Sequence, residues 1–276
     1  MKSFYELQQE GVVKPMLKNP RGYKIPKEDL EILTQMCRNS EIAKRVLFYG
    51  ERQCDPELTT IFNENKHGGR EGGKPLIVDE KKFEELFQVN ALYRGTFNDE
   101  FDINQFLNSN VEFRIGVNGS GIYFSENDPK YSLNFLLNTP SKATEGHFFK
   151  VALNPNANLV DKMMIYKVRG ELISAINHGC YADGEKLNLK CDPQVLINLL
   201  QSDTSLVALL LGASAVYIPY RNSTTQGFWG HYILLNKSAV AVTKDTSSLD
   251  TKIDFDNLRN NFDNENEKIR TKLKLR

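Results

Sequence analysis

The sequence predicts an α+β fold with a mostly antiparallel sheet, and three observations carry that expectation. Short apolar runs bounded by turn residues recur through the middle of the chain, at residues 91–94, 121–125 and 147–153. Three more such runs close the core, at 215–220, 232–235 and 238–243. Interspersed with these runs are helix starts written as Asp128-Pro129 and Asp192-Pro193, where the aspartate caps and the proline suits the first turn. The chain carries no evident internal repeat. Its order predicts a helical N-terminal extension over 1–75, an α+β domain over 76–243 and a polar tail over 244–276.

From Pro26 to Gly50, apolar residues that include Leu30, Leu33, Val46 and Leu47 recur at helical spacing, with a break near Asn39-Ser40. Two short helices are expected there. The run His67-Gly68-Gly69-Arg70-Glu71-Gly72-Gly73 is too glycine-rich for regular structure and reads as a linker, since it lacks the Gly-Lys-Ser/Thr ending of a phosphate-binding loop. Asp79 caps a helix through Phe87 that aligns Phe83, Leu86 and Phe87. After the strand at 91–94 come a short helix over 102–107, a polar turn at 108–110 and a strand over 111–116. The strand at 121–125 leads into a helix over 129–137. Beyond the strand at 147–153, helices are expected to end at His178, to run over 195–200 and to run over 206–211. From Lys244 onward apolar residues thin out, and the closing Lys-Leu-Lys-Leu-Arg reads as solvated.

Lys plus Arg equals Asp plus Glu at 35 each, so no net charge recruits nucleic acid or an anionic membrane. No apolar stretch is long enough to span a bilayer, and residues 1–18 lack the apolar run of a cleaved signal. A soluble protein made in a cytosol is expected, with export by another route left open. The four cysteines, Cys37, Cys54, Cys180 and Cys191, show neither paired spacing nor a nearby histidine pair, so no metal site is read and reduced thiols are expected.

Two segments are unusual for core strands. In Leu92-Tyr93-Arg94-Gly95-Thr96 an arginine sits within a β run; taken alone, a surface ion pair on an edge strand accounts for it as well as a ligand does. A guanidinium fork is nonetheless suited to a phosphate or a ribose edge. In Gly119-Ser120-Gly121-Ile122-Tyr123-Phe124-Ser125 the glycines permit close backbone approach, while Tyr123 and Phe124 supply flat surface. A glycine turn opening a core strand is the plain alternative. Tyr131 and Phe135 on the following helix could stack over what the strand holds. His147 and His178 are read as structural, at a strand start and a helix end.

These segments resemble the NAD-binding core of ADP-ribosyltransferases. Leu-Tyr-Arg-Gly-Thr, then Gly-Ile-Tyr-Phe-Ser, then a helix reaching Asn134-Phe135 is similar to that core, with wording near Tyr123 closer to the poly(ADP-ribose) polymerase branch. Arg94 and Ser125 match instead the arginine-serine-glutamate branch of bacterial toxins. A third segment agrees: Leu209 to Tyr217, followed by His231-Tyr232-Ile233-Leu234-Leu235-Asn236, is similar to the last strands of bacterial and phage members. The resemblance covers roughly 91–243. It implies a split, mostly antiparallel sheet that binds NAD in a cleft as substrate, cleaves the nicotinamide glycosidic bond and passes ADP-ribose to a protein side chain. By the same resemblance Arg94 holds the nicotinamide-side ribose or phosphate, Gly95 offers its backbone to the carboxamide, Gly121 and Ser125 shape the cleft, and Tyr123 with Phe135 sandwiches the nicotinamide.

The family's catalytic glutamate precedes the closing Tyr-Val-Val strand, and His231 occupies that position. A carboxylate opposes the positive charge that develops on the ribose, which a neutral imidazole does not. Three alternatives are open. His231 stands in for the glutamate in a slow mono-transferase; Gln226 or Glu126 approaches the ribose from an adjacent loop; or the pocket binds without turnover. Gln226 lies in Arg221 to Trp229, which resembles the acceptor-recognition loop of toxin-like members, where Phe228 and Trp229 suit protein recognition or a core anchor equally. The leading expectation is a bacterial effector or phage-delivered toxin, with an NAD-pocket binding protein and an NAD glycohydrolase as rivals.

Overall fold

The computed structural model describes residues 25–40, 74–97, 102–108, 115–116, 119–126, 143–181, 183–221 and 228–257. Expectations for residues 41–50, the glycine-rich run, the helix at 129–137 and the loop carrying Gln226 lie outside these. So do Cys54, Tyr131 and Phe135.

Helix α1 spans Lys27–Asn39. The strands are β1 (Leu76–Val78), β2 (Ala91–Thr96), β3 (Ile115–Gly116), β4 (Gly119–Ser120), β5 (Ile122–Glu126), β6 (Glu145–Leu153), β7 (Leu159–Asp161), β8 (Ala215–Arg221), β9 (Phe228–Leu234), β10 (Val240–Thr243) and β11 (Asp250–Asp254). The remaining helices are α2 (Glu80–Val89), α3 (Ile103–Asn108), α4 (Lys162–His178), α5 (Pro193–Ser202) and α6 (Thr204–Leu210).

Aspartates set the starts of four helices. Asp79, Asp161, Asp192 and Asp203 accept from the second or third helical amide of α2, α4, α5 and α6, filling donors that a helix start leaves open. Helix α4 stops where Gly179 turns left-handed at φ 67°, and His178 in its last turn bonds the Ser174 carbonyl at 2.7 Å. Along α4, Ile165, Val168, Leu172 and Ile176 recur at helical spacing and bury one face.

The main sheet follows the order β1-β10-β6-β2-β5-β9-β8-β7, with β11 added to β6. The pairs β1–β10 and β7–β8 are parallel, so the expected mostly antiparallel sheet is a mixed one with parallel pairs at both ends. The outermost strands that form these pairs, β1 and β7, are three residues long, too short to show in the apolar pattern. Residues 250–254, expected in a polar tail, form β11 along Glu145–Phe149, and Leu249 and Phe255 at its ends are buried. His147 Nδ1 lies 2.9 Å from Asp250 Oδ1 across that pairing.

Both faces of the sheet are covered. On one, Val216, Ile218 and Ile233 pack against α1, α4, α5 and α6. On the other, Leu92, Phe124, Phe149 and Tyr232 pack with Phe83 and Phe106, and the rings of Phe106, Phe124 and Phe149 meet pairwise at 5.8 to 6.0 Å.

Helix α1 is anchored by one carboxylate. Asp29 is fully buried and accepts from the Lys190 amide at 2.7 Å, the Cys191 amide at 2.8 Å and the Cys191 thiol at 2.5 Å. Removing it strands the buried Cys191 amide and the part-buried Lys190 amide. Asp29→Ala is therefore expected to cost about 2–4 kcal/mol of stability, measured by urea unfolding.

Candidate functional site

The three segments singled out in the sequence become neighbouring strands, in the lateral order β2, β5, β9. Register then sorts their side chains. Tyr93, Ser125 and His231 stand directly opposite one another across the three strands, so they share one face of the sheet. Arg94 follows Tyr93 and projects to the other face with Leu92, whose direct partner is Glu126. Arg94 and Glu126 therefore share a face that Ser125 and His231 do not. Glu126 belongs to the end of β5 rather than to a loop.

The ladder between β2 and β5 holds two residue pairs, Leu92 with Glu126 and Tyr93 with Ser125. Arg94 takes over where it stops: its Nη1 donates to the Tyr123 carbonyl at 2.9 Å. Its Nε is buried with no hydrogen-bond partner, and among the described residues no carboxylate pairs with the guanidinium. Loss of hydration pulls its pKa down to about 10, which still leaves a full positive charge at neutral pH. A buried cation matched only by a carbonyl is costly, and an anionic or hydroxyl-rich ligand would relieve that cost.

Glu126 carries the complementary charge. The Tyr217 hydroxyl donates to its Oε2 at 3.5 Å, and the Gly230 backbone and the Tyr232 hydroxyl stand close enough to lower its pKa as donors. Burial raises its pKa more than these three donors lower it. Burial first, and the nearby carboxylate second, raise both phenols as well, so Tyr217 and Tyr232 stay protonated as donors. Their rings lie 5.0 Å apart. Glycine at 230 makes the arrangement possible: a Cβ there would lie 2.2 Å from the Tyr217 ring and 2.7 Å from Glu126 Oε2.

On the opposite face, Ser125 is buried, and its hydroxyl lies 3.4 Å from the Tyr93 carbonyl. Burial lowers the His231 pKa, partly offset by a bond to the Phe124 backbone, so the ring is held neutral at physiological pH. Tyr123 packs against the helical side of the core. Gly121 adopts φ 146°, and the close approach it permits is to β9, where a Cβ would meet Ile233 at 2.4 Å and the Leu234 carbonyl at 2.8 Å. Gly95 continues β2 opposite Phe148. Gln226 and Phe135 lie outside the described residues.

Sequence reasoning did not single out Gly230, Tyr217 or Tyr232 as partners of a carboxylate. The available signal was alternation, which sends Tyr217, Tyr232 and Glu126 to one face once the register of β5, β9 and β8 is known. Among the described residues no group of three His, Cys, Asp or Glu could hold a metal, and no helix is long and apolar enough to cross a membrane. No family model, curated protein or solved structure matches the chain.

Gly230→Ala is expected to cost about 1–3 kcal/mol by forcing Tyr217 and Glu126 apart, read from the unfolding midpoint in urea. Glu126 also ties stability to pH. Because its folded-state pKa is raised, the folded protein holds this proton more tightly than the unfolded chain does. The linked stability is complete below the ordinary glutamate range and is lost as pH rises through the folded value. Urea unfolding at stepped pH is expected to show this decline in the native protein and a flatter profile in Glu126→Gln.

Proposed function

We propose that this protein is a mono-ADP-ribosyltransferase that takes ADP-ribose from NAD and attaches it to a protein side chain, as a bacterial effector or phage-delivered enzyme does. The observation that carries this reading is the guanidinium of Arg94, its Nε buried and no carboxylate pairing with it among the described residues, at the point where β2 and β5 cease to pair. A dinucleotide offers what that group lacks: phosphate and ribose oxygens able to accept from a fork of donors. The lateral order of β2, β5 and β9 further supports it, because it gathers the three segments whose wording resembles this enzyme class.

A pocket that binds NAD without turning it over is the second reading. It is favoured by His231, which is neutral and bonded to backbone at the position where the resemblance leads one to expect a charged carboxylate.

Nicotinamide release from NAD, followed by mass spectrometry with and without added lysate proteins, separates these possibilities. Release that requires added protein is expected; release without it indicates NAD hydrolysis, and no release in either case removes both enzymatic readings. Arg94→Ala is expected to weaken NAD binding by at least about 100-fold in calorimetry, the order lost when a charged hydrogen-bonding partner is removed. Unchanged affinity would take Arg94 out of the site.

A further inference from the structure

Glu126 is a half-buried anion surrounded by neutral donors. Tyr217 donates to it at 3.5 Å, Gly230 lies directly beneath it, the Tyr232 ring lies beside that of Tyr217, and among the described residues it forms no ion pair. Neutral donors hold and orient a carboxylate without cancelling its charge. Such a group is matched electrostatically by a cation that arrives with a ligand or develops during a reaction.

Its position within the strands matters equally. The side chain leaves β5 and brings Oε2 over Gly230 of β9, where a Cβ would lie 2.7 Å from it. The resemblance leads one to expect a glutamate at His231, whose side chain lies on the opposite face, so on the Arg94 face the only carboxylate of these strands is Glu126. Gly230 has no side chain to obstruct that crossing, whereas even a methyl group there would strike both Oε2 and the Tyr217 ring.

We infer that Glu126, reaching over from β5, supplies the carboxylate that β9 itself lacks, and that Tyr217, Tyr232 and Gly230 are its positioning residues. The inference rests on the NAD-dependent transfer proposed above. In the reaction, the bond between ribose C1′ and the nicotinamide nitrogen breaks, its electron pair passing to nicotinamide, which leaves neutral. A lone pair of the acceptor side chain forms the new bond to C1′. The Glu126 carboxylate opposes the positive charge on the ribose between these two events, and it receives the proton that the acceptor releases. Arg94, on the same face of neighbouring β2, is the anion-holding counterpart.

The charged and titratable groups facing Glu126 are Tyr217 of β8, Tyr232 of β9 and Arg94 of β2, with Asp161 at the end of β7 acting on Tyr217. Removal of a phenol that holds the carboxylate therefore shifts the acid limb of the activity profile, which a purely structural role would leave in place.

The test compares Glu126→Gln with the native chain in nicotinamide release and in NAD calorimetry. A fall in kcat of about 100-fold with NAD affinity within about threefold is expected, as for loss of a preorganised charge-stabilising group. Tyr217→Phe and Tyr232→Phe are each expected to move the acid limb of the kcat profile upward in pH. Glu126→Asp serves if the glutamine variant does not fold, and is expected to retain NAD binding with reduced turnover. Native-like kcat in a folded Glu126 variant overturns the assignment and leaves the transfer reading standing. A native protein that releases no nicotinamide under any condition overturns both.

Discussion

The short ladder between β2 and β5 governs the centre of this molecule. Two residue pairs join these strands before they part, and the guanidinium of Arg94 completes the junction by bonding the Tyr123 carbonyl. Strand pairing normally consumes backbone donors and acceptors on both sides. Here a side chain does part of that work, and it carries a charge into the interior. The aromatic cluster of Phe106, Phe124 and Phe149 packs the same face. Arg94 thus stays charged, with its Nε buried and unbonded among the described residues.

Strand alternation then partitions the chemistry. Opposite charges, Arg94 and Glu126, are held on one face by adjacent strands without pairing with each other, and among the described residues each meets only neutral groups. A direct salt bridge would neutralise both and leave little for a ligand to gain. On the other face Ser125 and His231 are cross-strand partners, and the helical layer supported by α4 covers much of the neighbouring surface. The two sets share three strands, so a shift of β5 along its neighbours by one residue would exchange their faces.

Much of this was legible in the sequence, for identifiable reasons. The strands at 91–94 and 147–153 announced themselves because each is a largely apolar run between turn residues, and the helices at Asp79 and Asp192 because a capping aspartate is a local signal. Arg94 stood out because a charged residue in such a run needs a reason. What escaped was set by long-range pairing. Three-residue β1 and β7 have too few positions to show a period, and β11, reading Asp-Thr-Lys-Ile-Asp, looks like a solvated tail because four of its five residues are polar and none is buried. The grouping of Glu126 with Tyr217 and Tyr232 depends on the register of three strands, which no local pattern specifies.

The attachment of β11 to β6 has a consequence for how the chain is made. The first half of β6 is covered by a segment that leaves the ribosome last among the described strands, while the other half is covered earlier by β10. Until residue 255 has emerged, Glu145–Phe149 presents open backbone along one side, and the seat of the Phe255 ring against Gly146 is empty. An exposed strand edge invites pairing with other chains. The growing polypeptide therefore passes through a stage in which its central sheet is nearly complete yet adhesive, and the polar-looking C-terminal strand ends that exposure.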